Sequence, residues 1–161
     1  MRSHVDNVLP NLEWLVGSWK ADHGGVLEGF EPNTSALVYT YLVKGDCANM
    51  GLIALDEIAR EFGVSIARFF LPLDEPTPRD KYYACCFSNN LRYYKKLIGK
   101  SSVTVTRDMK LTSSAVIRNY EIFKAVPHLD NLQRIAESLG VEVIELFKLN
   151  KDKWKEGGII E

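Results

Sequence analysis

The chain is poor in the residues that enzymes, metal sites and disulfide frameworks need. Its 161 residues include three histidines and three cysteines. His4, His23 and His128 are scattered, and no His or Cys pair has the spacing of a metal site. An odd cysteine count, with Cys85 and Cys86 adjacent, argues against a disulfide framework and for a reduced, cytoplasmic chain. The opening MRSHVDNVLP has no apolar run like that of a secretory signal. No stretch approaches the roughly 20 apolar residues of a membrane span. Gly24-Gly25 and Gly157-Gly158 are followed by no Lys-Ser/Thr, so neither reads as a phosphate loop. The acidic pairs Asp56-Glu57 and Asp74-Glu75 fall on a helix face and in a Pro-rich stretch, and offer no acid–base pair. The expectation is no enzyme, no metal, no cofactor and no membrane.

Charged residues make up 25% and hydrophobic ones 46%, an ordinary globular mix. The net charge of −1 hides a division. Residues 1–80 hold six Lys/Arg and twelve Asp/Glu, a net of −6, whereas residues 81–161 hold fourteen and nine, a net of +5. Such asymmetry points to two units facing different partners. Between them, Pro72, Pro76 and Pro78 stiffen residues 72–80 into a linker, since each Pro lacks an N–H and biases its predecessor away from helix.

The two sides of that linker repeat one another. The segment from Leu55 through Ile58, Ala59, Phe62, Gly63, Val64 and Ile66 to Phe70 matches Leu132, Ile135, Ala136, Leu139, Gly140, Val141, Val143 and Phe147 at a constant offset of 77. Upstream, Asn33–Tyr41 matches Thr112–Tyr120, and Asn11-Leu12 matches Asn90-Leu91, both at 79. The offset changes in the loop between Lys44 and Gly51, where length is free to vary. The chain reads as a tandem duplication.

Each copy reads as helical. Leu129, Leu132, Ile135, Ala136 and Leu139 recur at the spacing of one helix face, and Gly140 ends that helix. Val143, Leu146 and Phe147 form the face of a short last helix. Leu91, Tyr94, Leu97 and Ile98 mark a first helix, and Val105 and Met109 a second. Thr112 serves as N-cap of a third, burying Val116, Tyr120 and Phe123. The tail 151–161 is either disordered or docks Trp154 and Ile159-Ile160 on a partner chain.

Five helices ending in Leu-x-x-Ile-Ala-x-x-Leu-Gly-Val-x-Val-x-x-Leu-Phe resemble the lambda-repressor-like, Cro-type (XRE) helix-turn-helix family. The resemblance covers residues 90–149 and, more faintly, 11–71. It implies an all-α chain of two tandem five-helix domains: 1–71, the linker 72–80, 81–150, and the tail 151–161. It also implies that the second and third helices of a unit form the DNA-reading motif. Thr106 stands at the motif's small-residue position, Lys110 at the Gly of its turn, and Tyr120 covers for an apolar residue at Asn119.

The second unit has the charge for this role. Between Leu91 and Lys124, eight Lys/Arg face only Asp108 and Glu121, a net of +6. Neutralising phosphates releases counterions and drives binding. In the family's geometry, Ser113, Ser114, Ile117 and Arg118 are the candidate base-reading residues: Arg forks onto guanine, Ser donates or accepts, and Ile117 meets a thymine methyl. Ser101, Ser102, Arg107, Lys110, Thr112 and Lys124 are the candidate phosphate contacts.

The first unit lacks that surface. Arg107, Lys110 and Arg118 become Glu28, Glu31 and Tyr39 across the offset of 79, and Gly24, Gly25 and Gly29 weaken its second helix. Glu28, Glu31 and the outward Tyr39 are instead candidates for a protein contact, most simply self-association. The sequence thus predicts a cytoplasmic, nucleoid-associated transcriptional regulator that binds double-stranded DNA, commonly as a homodimer in this family. The alternative is an interaction protein, antiactivator or antitoxin-like, acting through its acidic first unit.

Overall fold

The computed structural model describes residues 3–24, 27 and 29–161, and every named element among them is helical. In chain order these are α1 (Val8–Asp22), α2 (Pro32–Lys44), α3 (Leu52–Phe62), α4 (Ala67–Phe70), α5 (Phe87–Ile98), α6 (Ser102–Asp108), α7 (Ala115–Glu121), α8 (Leu129–Leu139) and α9 (Lys151–Glu156). Short 3₁₀ turns lie at Val5–Asn7, Ala84–Cys86 and Val143–Phe147. The chain is all-α, and no described helix is long and apolar enough to cross a membrane.

The repeat is visible in individual hydrogen bonds. Helices α3 and α8 coincide end to end under the offset of 77. Gly63 and Gly140 close them in the same left-handed conformation, φ 66° and ψ 30°, which glycine adopts without a Cβ penalty. Asn11 donates to the Leu71 carbonyl at 2.7 Å, and its counterpart Asn90 donates to the Lys148 carbonyl at 2.8 Å. The His4 amide reaches the Phe70 carbonyl at 2.8 Å, and the Tyr83 amide reaches that of Phe147 at 2.7 Å. A buried amide side chain is stable only when its polar atoms are paired. The two asparagines therefore fix each copy's first helix to its own ending.

The copies diverge where local signals differ. Gly99 ends α5 in a left-handed turn, and Ser101 then caps α6 by accepting the Thr104 amide at 3.1 Å. The matching positions hold Lys20 and Asp22, so α1 runs on to Asp22. No helix is present among the described residues between Asp22 and Pro32. An aromatic group fills that space: Trp19 stacks on His23 at 4.1 Å, and Phe30 meets Trp19 and Phe62 edge-on at 4.9 and 4.8 Å. Downstream, Glu31 caps α2 by accepting the Thr34 amide at 3.0 Å, with Pro32 at the first position. Thus α2 begins four residues earlier than the matching α7.

The Pro-rich stretch predicts separable units, but the structure has one apolar core running through both copies. Leu52 donates its amide to the Pro127 carbonyl at 3.2 Å, and Leu129 donates to Met50 at 2.9 Å. Each bond is the other's image under the offset of 77, so the copies meet about a two-fold relation within one chain. Phe70 stacks on Phe147 at 5.3 Å across the same seam. The stretch 72–80 is strapped down by Arg68, which donates to the carbonyls of Pro72 at 2.5 Å and Glu75 at 2.6 Å. The tail is ordered on its own chain: Trp154 is buried and donates to Asn90 Oδ1 at 2.9 Å, while Arg92 holds the Ile159 carbonyl at 2.9 Å.

Ile58, Phe69, Ile135 and Leu146 are all fully buried, as their matched positions require. Because the seam belongs to both copies, Phe70→Ala is expected to cost about 3–5 kcal/mol and to loosen both halves together. Chemical denaturation followed by circular dichroism, with residue-resolved amide exchange, checks this. Two separate transitions, one for each half, would contradict the shared core.

Candidate nucleic-acid interface

In the second copy, α6, a six-residue turn and α7 form a helix-turn-helix arrangement backed by α5 and α8. Val105, Met109, Ile117 and Tyr120 point into the core. Thr106 is buried, and its hydroxyl donates to the Ser102 carbonyl at 2.6 Å. Lys110 ends the first helix of the pair with φ of +57°, a region that L-residues with side chains rarely occupy. Its amide donates to the Arg107 carbonyl at 3.0 Å, which turns the chain toward α7.

A mostly buried ion pair sets the angle of α7. Lys95 of α5 pairs with Glu121 at the end of α7, and Ser102 at the start of α6 bonds to both, at 2.6 Å from Lys95 and 2.8 Å from Glu121. One network thus ties three helices together. A second tie joins α6 to α8: Asp108 accepts from Lys100 and Ser138, both at 2.7 Å. These bonds, Lys100 first, hold the Asp108 carboxyl below its ordinary value of 3.8.

The structure sorts the candidate residues. Arg107, Lys110, Thr112, Ser113, Arg118 and Lys124 are exposed, and Ser114 is half-buried. No described ion-pair partner meets Arg107, Lys110, Arg118 or Lys124. Arg118 lies along α7 and donates to Ser114 Oγ at 3.2 Å. Ser101 is the cap of α6. Val103, Thr106, Arg107, Leu111, Thr112 and Ser114 line a shallow cleft between the two helices.

Four sequence expectations are corrected, the first being the burial of Phe123, which lies beyond α7 and is 41% exposed. Ile117 is fully buried and cannot meet a base: α7 turns its Ile117–Tyr120 edge inward, leaving Val116 half-buried. Adjacent apolar residues fit a helical wheel in either register, and the sequence reading took the wrong one. Ser102 is engaged by Lys95 and Glu121 and is not free for a phosphate. Thr112 is no cap, because α7 starts at Ala115, whose amide donates to Ser113 Oγ at 3.2 Å. A charge count treats Lys95 as surface, whereas it is paired with Glu121 inside the fold. The pair's only sequence signal is a lysine one turn from Leu91 on a buried helix face.

In the first copy, Glu31 is exposed and occupied as the α2 cap, and its amide donates to Glu61 at 3.2 Å. Glu28 lies outside the described residues. Tyr39 is only 37% exposed, with the Lys20 ammonium 4.9 Å from its ring centre, whereas Trp14 at 55% and Val43 at 88% are barer. Cys86 is buried, and burial first of all pushes its thiol up to about 12, unlike an activated nucleophile. Compared with protein-family models, curated proteins and solved structures, the chain has no match.

Two stability tests follow. Breaking the Lys95–Glu121 pair by Glu121→Gln leaves a mostly buried ammonium uncompensated and is expected to cost about 3–5 kcal/mol, read from denaturant midpoints. For Asp108 the folded value is the lower one. Its contribution is therefore present above the ordinary value of 3.8 and lost as pH falls through the folded value. Asp108→Asn should accordingly flatten the acid limb of the stability–pH curve, and an unchanged limb would remove this tie.

Proposed function

We propose that the protein is a sequence-specific, double-stranded-DNA-binding regulator of lambda-repressor-like type. Its two copies are two such units, the first showing no second helix among its described residues. The observation that carries this reading is the disposition of charge on the second copy. Lys95 and Lys100 are neutralised by the only two acids of the +6 segment, and Arg92 and Lys96 hold the tail. Arg107, Lys110, Arg118 and Lys124 remain exposed around α6, the turn and α7. Arg107 and Ser114 line one cleft and Arg118 hydrogen-bonds Ser114, so these three adjoin, and Arg118 is the candidate for a guanine edge.

Lys110 bears on the same reading through its side chain. Its left-handed conformation costs about 1–2 kcal/mol that glycine avoids. Phe123 takes the same φ of +57° after α7, and in both places the next amide bonds back to the helix, Leu111 to the Thr106 carbonyl at 3.0 Å and Lys124 to that of Asn119 at 2.9 Å, so the conformation is a helix stop. What bears on DNA is the side chain that the stop at Lys110 carries, an exposed lysine where glycine would serve the turn at less cost. A specific observation favours a second role for the first copy, that of a protein-interaction surface: Trp14 is bare, whereas its counterpart Tyr93 is covered by Gly157 of the tail.

Gel shifts and denaturation test the main reading together. Lys110→Gly is expected to raise stability by up to about 1 kcal/mol while weakening duplex binding uniformly across sequences. Arg118→Ala is expected to cost about 1–3 kcal/mol on the preferred site and to relax one base position. If neither substitution alters duplex binding, this surface does not read DNA.

A further inference from the structure

We infer that one chain binds DNA alone, on a target without dyad symmetry, the first copy standing where a second subunit would. This inference rests on the DNA reading above. A palindromic operator is matched by a protein two-fold that presents two equivalent reading helices. This chain already contains its two-fold. The paired bonds of Leu52 with Pro127 and of Leu129 with Met50 cross it, as does the Phe70–Phe147 stack. Met50, Leu52, Phe70, Leu129 and Phe147 are all but completely buried there. The surface of the second copy that meets the first about this two-fold is thus sealed inside the monomer. A second chain could reach it only by opening the shared core.

The built-in partner is not a second reader. Lys110 and Arg118 face outward in one copy; their counterparts are Glu31 and Tyr39 in the other. Ser101 and Lys124 have Asp22 and Gly45 as counterparts. No described helix precedes α2 as α6 precedes α7. The N-terminal amides of α2, where a phosphate would otherwise settle, are already served by the chain's own Glu31 carboxylate, with Glu61 beside it. Among the described residues, Arg107, Lys110, Arg118 and Lys124 of the second copy have no ion-pair partner, and no cation stands at the matching positions of the first, so the duplex meets one such region per chain.

Enrichment of random duplexes on the full chain, followed by sedimentation of the protein with the enriched duplex, tests this. The expected result is one motif without inverted repetition, bound at one chain per duplex. Neutralising about four phosphates should lower affinity on the order of 100-fold between 50 and 200 mM salt. Two chains on a dyad would neutralise about eight and lose on the order of 10⁴-fold. An inverted-repeat motif carrying two chains, or the steeper salt dependence, would overturn the inference and leave the DNA reading standing. Failure to enrich any duplex would end both.

Discussion

Phe70 and Phe147 hold the same position in two copies of one repeat, and they stack on each other. Much of the architecture depends on that contact. Each ring closes the ending of its own copy, where Asn11 or Asn90 ties the first helix to the carbonyls on either side of the phenylalanine. Each ring also forms the other copy's core wall. The seam therefore couples the internal order of one half to that of the other. Burying two phenylalanines in mutual contact removes large apolar surfaces from water without any polar group to satisfy. The adjoining backbone bonds at Met50, Leu52, Pro127 and Leu129 fix the orientation that such a contact alone leaves open.

That division explains which parts can vary. The seam, the asparagine ties and the glycine stops recur in both copies. The stretch between first and third helices does not: Gly99 and Ser101 make a stop and a cap in one copy, while Lys20 and Asp22 make neither in the other. In the first copy, where no described helix stands at the place of α6, Trp19, His23, Phe30 and Phe62 pack on one another. The interior stays packed, and the outward positions matching Lys110 and Arg118 hold Glu31 and Tyr39. The two copies can differ in this stretch because Lys20 and Asp22 lie more than twenty residues along the chain from Met50 and Leu52 of the seam.

Much of the helix order is legible in the sequence, because Leu132, Ile135 and Leu139 with Gly140 carry a period and a stop that depend only on neighbours in the chain. The duplication is legible for the same reason. The seam is not, since no local pattern says which two apolar faces meet, and a Pro-rich stretch looks alike whether it separates two bodies or is strapped to one by Arg68. The candidate site divides along the same line. Exposure of Arg107, Lys110, Arg118 and Lys124 follows from their type. The burial of Ile117 beside half-buried Val116, and of Lys95 against Glu121, depends on where neighbouring helices lie. The longer apolar neighbour took the core, and a lysine that finds a carboxylate and a hydroxyl can be buried where an unpaired one cannot.

The joining of an acidic half to a basic one has its own consequence for the proposed function. Long-range attraction to a polyanion follows net charge, and the chain's is −1. Steering from a distance is therefore weak, unlike that of a protein basic throughout. Within a Debye length of about 8–10 Å the duplex feels the nearest charges instead, and on the second copy those are Arg107, Lys110, Arg118 and Lys124. Weak steering with a concentrated local patch lowers binding to arbitrary sequence more than binding to a fitted one, because only a fitted duplex brings its phosphates and base edges into that short range together. What matters for a regulator is the ratio of those two affinities. In this reading the acidic copy serves recognition without touching a base, by completing the fold through the seam while withholding the charge that would hold the chain on any DNA it met.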